Sequence, residues 1–255
     1  MKFFTSIYYW LRSVYFHFFP RPVGKYGRLQ PVVRPSAIGA LRFSLPTAPP
    51  SWSCWRLRWL MLGNDEYGDC VFCAIAHAIM AVSAALKNPI TFTRALIVNY
   101  YLVWDDGQDN GVNIDQFLEA WQTAGAAGEG PFGAAGPFVK LDPTNIAQQK
   151  AAIATFGWIL YGVNLQQAQE DQFQNGQRWS YVPGSTVVGG HGIFGGGYDR
   201  FNVGPYIVSW GKGFRAEWGF ITNCADEAYT GILPPHIKAG KAQQLLTYIQ
   251  GLPAA

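Results

Sequence analysis

The chain has 255 residues, of which 49% are hydrophobic and 16% aromatic, a composition that excludes a disordered segment and allows one globular domain of about 190 residues plus an extension. The formal net charge of +3 conceals an asymmetry: residues 1–64 hold nine Lys or Arg and no Asp or Glu, leaving ten basic against sixteen acidic residues after them. An arm of +9 on a body of −6 predicts an anionic surface or assembly partner for residues 1–64, or an arm laid on the protein's own acidic body. Four cysteines in a chain of this length do not form a disulfide framework, and free thiols are expected.

The arm opens with "FFTSIYYWLRSVYFHFF" (3–19), an aromatic run interrupted by Arg12 and His17 and short of the roughly 20 apolar residues a bilayer span needs. It lacks the leucine-rich centre and small-residue cleavage site of a signal peptide. The sequence therefore favours a cytoplasmic or phage-associated protein over classical secretion, with membrane attachment through this run as the other option. A proline-punctuated linker follows, and the extension is assigned to 1–63.

From Asp69 as N-cap, "CVFCAIAHAIMAVSAALK" reads as a helix rich in Ala and free of Gly and Pro. Further helices are expected in "FTRALIVNYYLVW" behind Thr91, in "IDQFLEAWQTAG" behind Asn113 with Gly125 as its stop, and in "PTNIAQQKAAIATFG" with Pro143 just inside Asp142. The pattern then changes to strand-like runs, "WILYGVNL", "TVVGGHGIFGGGYD", "PYIVSWG" and "EWGFIT", and "PPHIKAGKAQQLLTYIQG" closes with a short helix. Helices first and antiparallel-type strands afterwards define an α+β body, helical over about 64–156 and β over about 157–233, with a cleft between the halves.

Cys70 stands at a helix start, where unpaired N–H groups and the positive dipole end stabilise a thiolate. Cys73 lies one turn inside among Ala and Ile, the usual place of a core thiol, and is the alternative nucleophile. Asn64, six residues before Cys70, can donate to a developing oxyanion. His191 sits among glycines in the β half and pairs with Cys70 as general base. His77, two turns along the cysteine helix, is expected to be packed or to cap.

"NDEYGDCVFCAIAHA", then "GGHGIFGGGYD" and "IVSWG…EWGFI", resembles the papain-like cysteine peptidase superfamily in order and spacing over residues 64 to about 222, and is most similar to poorly characterised papain-like proteins of bacteria and their phages; "ADEAYTGIL" carries a further run of that likeness. The resemblance implies a papain-like domain over 64–255 and a Cys-His hydrolase of peptide or amide bonds. Cys70 would be the nucleophile, His191 the base, and Asn64 the oxyanion donor in place of the family's glutamine. Gly68, Gly190 and Trp210 would line the substrate cleft.

At the family's asparagine, which orients the histidine, this chain has Val208, which cannot accept the imidazole N–H. Strand alternation turns the adjacent Ser209 to the other face unless a bulge intervenes, so Asp199 or Glu227 is expected to orient His191, or a backbone carbonyl does.

The second reading is a catalytically idle papain-like module of a phage or cell surface, and the third a thiol-disulfide redox role for "CVFC". The cysteines lack a second close pair for zinc, "GIFGGGYD" does not open a helix as a phosphate cradle requires, and no specific nucleic-acid motif is present. No cofactor or metal is expected.

Overall fold

The computed structural model describes residues 23–32, 36, 38–41, 45–52, 57–126 and 132–250; the aromatic run 3–19, with His17, and Cys54 lie outside them. Helix α1 (Cys70–Ala85) is buried over nearly its whole length, as its Ala- and Ile-rich composition requires. Asp69 precedes it as expected, but its carboxylate makes no capping hydrogen bond. Helix α2 (Arg94–Trp104) begins two residues later than Thr91 predicts, because Thr93 is the cap, its Oγ1 accepting from the Leu96 N–H. Helix α3 (Ile114–Ala126) has Asn113 as cap, accepting from Gln116 N–H at 3.0 Å, and runs through Gly125.

After β1 (Phe138–Leu141) comes α4 (Ile146–Phe156), which starts behind Asn145 rather than at Pro143 and stops at Gly157, whose φ of 82° is the left-handed conformation that glycine supplies. The remaining elements are β2 (Ile159–Gln166), α5 (Gln167–Gln174), β3 (Val187–Tyr198), β4 (Pro205–Ser209), β5 (Lys212–Arg215), α6 (Trp218–Cys224), β6 (Ala225–Gly231), α7 (Pro234–Lys238) and α8 (Ala242–Gln250). The segment "EWGFIT", expected as a strand, is mostly α6: Trp218, Ile221 and Cys224 are buried at a spacing of three, the period of a helix face. The strand lies just beyond, in "ADEAYTG".

The six strands form one antiparallel sheet in the order β1-β6-β2-β3-β4-β5. Its pleat divides the core. Leu160, Phe194 and Val208 join Phe72, Phe117 and Trp121 in a cluster around α1, while their neighbours Tyr161, Ile193 and Ile207 join Phe173, Trp179 and Phe220 on the other face. Helices α1 to α3 thus pack on one side of the sheet, with α1 against β3, while α4 adds Ala152 and Ile153 to the other face; the α1–β3 packing brings the helix start and the histidine strand together. Among the described residues, no helix is long and apolar enough to cross a membrane.

Candidate active site

Cys70 is the first residue of α1, and its Sγ accepts from the Gly192 N–H at 3.3 Å, which fixes the thiol against the residue that follows His191. The approach is close at Gly192, where a Cβ would lie 3.0 Å from Val71 Cγ2 and 3.1 Å from Val71 Cα. Cys73 points elsewhere: its Sγ lies 3.5 Å from the Met61 carbonyl, inside the α1 cluster. His77 is buried as well, with Nε2 on the Leu60 carbonyl at 2.9 Å and its ring edge-on to Trp59.

His191 Nε2 lies 2.8 Å from Ser209 Oγ, and Nδ1 has no hydrogen-bond partner among the described residues. Ser209, not Asp199 or Glu227, is therefore the side chain that holds the imidazole. Asp199 pairs with Arg215 at 2.7 Å instead, and Glu227 accepts from Arg28 and from the Tyr229 hydroxyl. The register explains the difference from the sequence-based expectation. Val208 is opposite Phe194 and faces α1, so the next residue, Ser209, turns to the face shared by Ile193 and His191.

The residue after Ser209 also reaches the imidazole. Trp210 (φ 45°) and Gly211 (φ 65°) are the two central residues of the β4–β5 hairpin, closed by the Ser209–Lys212 pair. A positive φ at tryptophan is a strained choice, of order 1 kcal/mol or more. Its result is to fold the indole back over His191, with ring centroids 4.9 Å apart.

The sequence left the basic arm open between an outside anionic partner and the protein's own acidic body; the arm lies on the body, in this groove. Residues 24–30 of the basic arm run between the two halves: Lys25 N–H donates to the Asn64 carbonyl at 2.6 Å, Gly27 and Arg28 N–H both reach the Gly190 carbonyl at 3.3 and 3.2 Å, and Leu29 N–H donates to Val112 O at 2.9 Å. Backbone meets backbone at glycines. A Cβ on Gly27 would lie 1.7 Å from the Gly68 carbonyl oxygen, and one on Gly190 would lie 2.2 Å from the Arg28 carbonyl oxygen. Tyr26 sets its ring edge-on to both His191 and Trp210 and hydrogen-bonds Glu170. Asn64 Nδ2 donates to the Lys25 carbonyl at 3.0 Å and to Tyr67 O at 3.2 Å, so an arm carbonyl takes up the amide that was expected to serve an oxyanion. Glycines at 24, 27, 68, 111, 189, 190 and 192 were the available signal, since each meets the opposing chain or helix start at close range.

The charge states follow from this enclosure. Burial pushes the Cys70 thiol up to about 12, and Asp69 adds to the rise, while the Gly192 and Gly27 amides and the Arg28 charge act against it. Burial, helped by Arg28, brings His191 down to about 3. Asp69, buried without a salt-bridge or hydrogen-bond partner for its carboxylate among the described residues, is pushed up to about 7 by burial. With the arm seated, thiol and imidazole are therefore both neutral. Among the described residues there is no group of three His, Cys, Asp or Glu that could hold a metal ion.

No family model and no curated protein matches the chain. Solved structures do: xylellain, a cysteine protease from Xylella fastidiosa, superposes with a TM-score of 0.63 at 17% identity over 84% of this chain and 97% of its own. A structure from a study of antibody cross-reactivity between the mite allergens Blo t 1 and Der p 1 superposes with a TM-score of 0.52 at 13% identity, over 78% of this chain and 75% of its own. What these likenesses share with the helix-start cysteine, the six-stranded antiparallel sheet and the histidine strand is architecture: the chain has the papain-like cysteine protease fold.

Proposed function

We propose that the protein is a cysteine hydrolase of peptide or amide bonds, with Cys70 as nucleophile and His191 as general base and then acid. The observation that carries this reading is the meeting of a helix-start thiol with the Gly192 amide, beside a histidine whose far nitrogen is held by Ser209. With Nε2 protonated and donating to Ser209 Oγ, the unpartnered Nδ1 offers its lone pair to the thiol proton. The thiolate then attacks the carbonyl carbon, and Asn64 Nδ2 with the Cys70 N–H receives the developing oxyanion. The imidazolium protonates the leaving amine, and water hydrolyses the thioester with His191 again as base. Gly68, Gly190 and Trp210 are the walls along which a substrate backbone would replace the arm.

One observation favours a second reading, a catalytically idle module: the arm covers the site and both reacting groups are held neutral. Alkylation by iodoacetamide across pH, read at each cysteine by mass spectrometry, separates the two. A hydrolase shows a fast, low-pH phase at Cys70 once the arm is displaced, and that phase disappears in His191→Ala. An idle module shows Cys70 reacting no faster than Cys224 in either state.

A further inference from the structure

The Arg28 side chain is buried in the body, next to Gly27, whose amide lies against Cys70. Its guanidinium makes four hydrogen bonds: Nη1 to Asp226 Oδ1 at 2.7 Å and Glu227 Oε1 at 2.8 Å, and Nη2 to Asp226 Oδ2 and Asn164 Oδ1, both at 2.9 Å. Nε makes none.

The body builds this cradle. Consecutive residues of a strand face opposite sides, yet Asp226 and Glu227 both reach one guanidinium, because the β2–β6 register slips between Gly162 and Val163: Gly162 pairs with Glu227 and Val163 with Ala225, leaving Asp226 as the extra residue of a bulge. Glu227 is held from behind by the Tyr229 hydroxyl at 2.9 Å, and Asn164 Nδ2 donates to Asp226 Oδ2 at 2.8 Å. Gly162 forms the floor, where a Cβ would lie 2.5 Å from Glu227 Cγ and 2.8 Å from Arg28 Cδ. The arm adds one contact, Gln30 Nε2 donating to Asn164 Oδ1 at 2.6 Å; the carboxylates, the Tyr229 hydroxyl and the Gly162 floor all belong to the body.

Two adjacent carboxylates, one fully buried, leave the vacated cradle in need of a cation. Its geometry selects among cations: Asp226 accepts bidentately while Glu227 and Asn164 accept at the two flanks, a planar fork that a lysine ammonium cannot match. We infer that the cradle is an arginine-binding subsite, and that the substrates of the proposed hydrolase are peptides carrying arginine beside the bond to be cut. The inference rests on the hydrolase reading for its catalytic half only; Arg28 is then the arm's stand-in for the substrate side chain.

The test uses the full chain with Arg28→Ala, which empties the cradle, and N-acetylarginine methylamide as probe against its lysine and norleucine counterparts. At millimolar concentration the arginine compound raises the melting temperature by about 2–4 °C. The norleucine compound does not, the lysine compound does so weakly, and adding Asp226→Asn abolishes the arginine response. Equal shifts with arginine and norleucine, or no shift, overturn the subsite. Should Arg28→Ala not fold, Arg28→Met keeps the aliphatic stem over Gly162 and serves in its place.

In the Gly27→Val, Arg28→Ala chain, where a Cβ at 27 meets the Gly68 carbonyl and displaces the arm, dipeptide amides with arginine or norleucine beside the scissile bond give the second readout, with a kcat/KM advantage of at least about tenfold expected for arginine. A melting shift without turnover of any peptide upholds the subsite and refutes the hydrolase reading. Turnover without arginine preference or melting shift refutes the subsite alone.

Discussion

Gly27→Val should unseat the arm and wake the thiol. A Cβ on Gly27 would stand 1.7 Å from the Gly68 carbonyl oxygen and 2.2 Å from its carbon. Gly68 lies just before α1 and cannot retreat without moving the helix start, so the arm has to leave. Burial is the largest cause of the thiol's rise to about 12, and its removal lets Cys70 relax toward an ordinary cysteine or below. Near pH 7.5 the thiolate fraction then grows from about 3 × 10⁻⁵ to about 0.1 if the thiol reaches an ordinary value near 8.5. The weaker nucleophilicity of the less basic thiolate takes back a factor of about 40. Alkylation of Cys70 by iodoacetamide should therefore accelerate about 10²-fold, with Cys73 and Cys224 unchanged. The helix dipole and His191 can only add to that figure. A folded variant in which limited proteolysis cuts the freed residues 24–30 while Cys70 stays slow would show that the body, rather than the arm, suppresses the thiol.

Ser209→Ala removes the only side-chain partner of His191 Nε2 among the described residues and should lower kcat about 10²-fold with KM little changed, measured in the Gly27→Val background; a matched change in KM would indicate a collapsed groove instead. Cys70→Ala should abolish turnover in that background, whereas Cys73→Ala, whose thiol packs in the α1 cluster with Sγ on the Met61 carbonyl, should reduce stability and leave kcat intact. Asp69, with its folded-state pKa raised to about 7, stabilises the fold below its unfolded value near 4 and loses that contribution as pH rises through 7. Asp69→Asn should therefore stabilise the protein by about 1–4 kcal/mol at pH 8 and by much less at pH 4, as denaturant titrations at the two pH values will show. His77, His191 and His236 run the other way: their folded values are lowered by burial to about 4, 3 and 4, so their contribution is complete above about 6.5 and drains away as pH falls. Stability should drop between pH 6.5 and 4 by about 1.4 kcal/mol per pH unit per histidine, with Asp69 opposing one of the three, so Asp69→Asn should steepen the acid limb.

The sequence exposes what local chemistry encodes and hides what register decides. Cys70, its helix and the histidine strand are legible because an Ala-rich run behind "GDC" and a glycine-flanked His leave few other readings. Ser209 was not, because its access to His191 depends on which side of β4 faces α1, and that is set by the Val208–Phe194 pair rather than by any local pattern. Helix α6 was misread as a strand from its aromatic and β-branched residues, although burial of Trp218, Ile221 and Cys224 follows a helical period. The arm's place was the deepest omission. Charge alone allowed its docking on the acidic body, and Arg28 and Lys25 do find Asp226, Glu227 and Asp109 there. Yet nothing in a linear pattern singles Arg28 out of nine basic residues, since its cradle exists only when the β2–β6 bulge turns two consecutive acids to one side.

Because arm and groove belong to one chain, the arm competes at an effective concentration of order 1 mM, and even a 100 µM intrinsic affinity keeps the groove about nine-tenths filled. A substrate at micromolar concentration does not displace it. Cutting the chain changes the competition from intramolecular to bimolecular, but only a cut on the correct side releases anything. The connection is itself fastened to the sheet: Leu41 N–H donates to Lys140 O at 2.8 Å, Lys140 N–H to Gly39 O at 2.9 Å, and Trp52 and Tyr198 exchange two bonds of 3.0 Å. A protease site inserted between Gln30 and Ser36 should therefore free residues 24–30 on cleavage, whereas one inserted between Ala48 and Trp52 should leave them on a segment still held at Lys140. After the first cut, alkylation of Cys70 at 1 µM protein should accelerate and fall back when a synthetic peptide of residues 23–32 is added at millimolar concentration. Equal activation by the two cuts would mean that the Lys140 fastening does not retain the arm, and no response to either cut or peptide would mean that tethering does not govern this thiol.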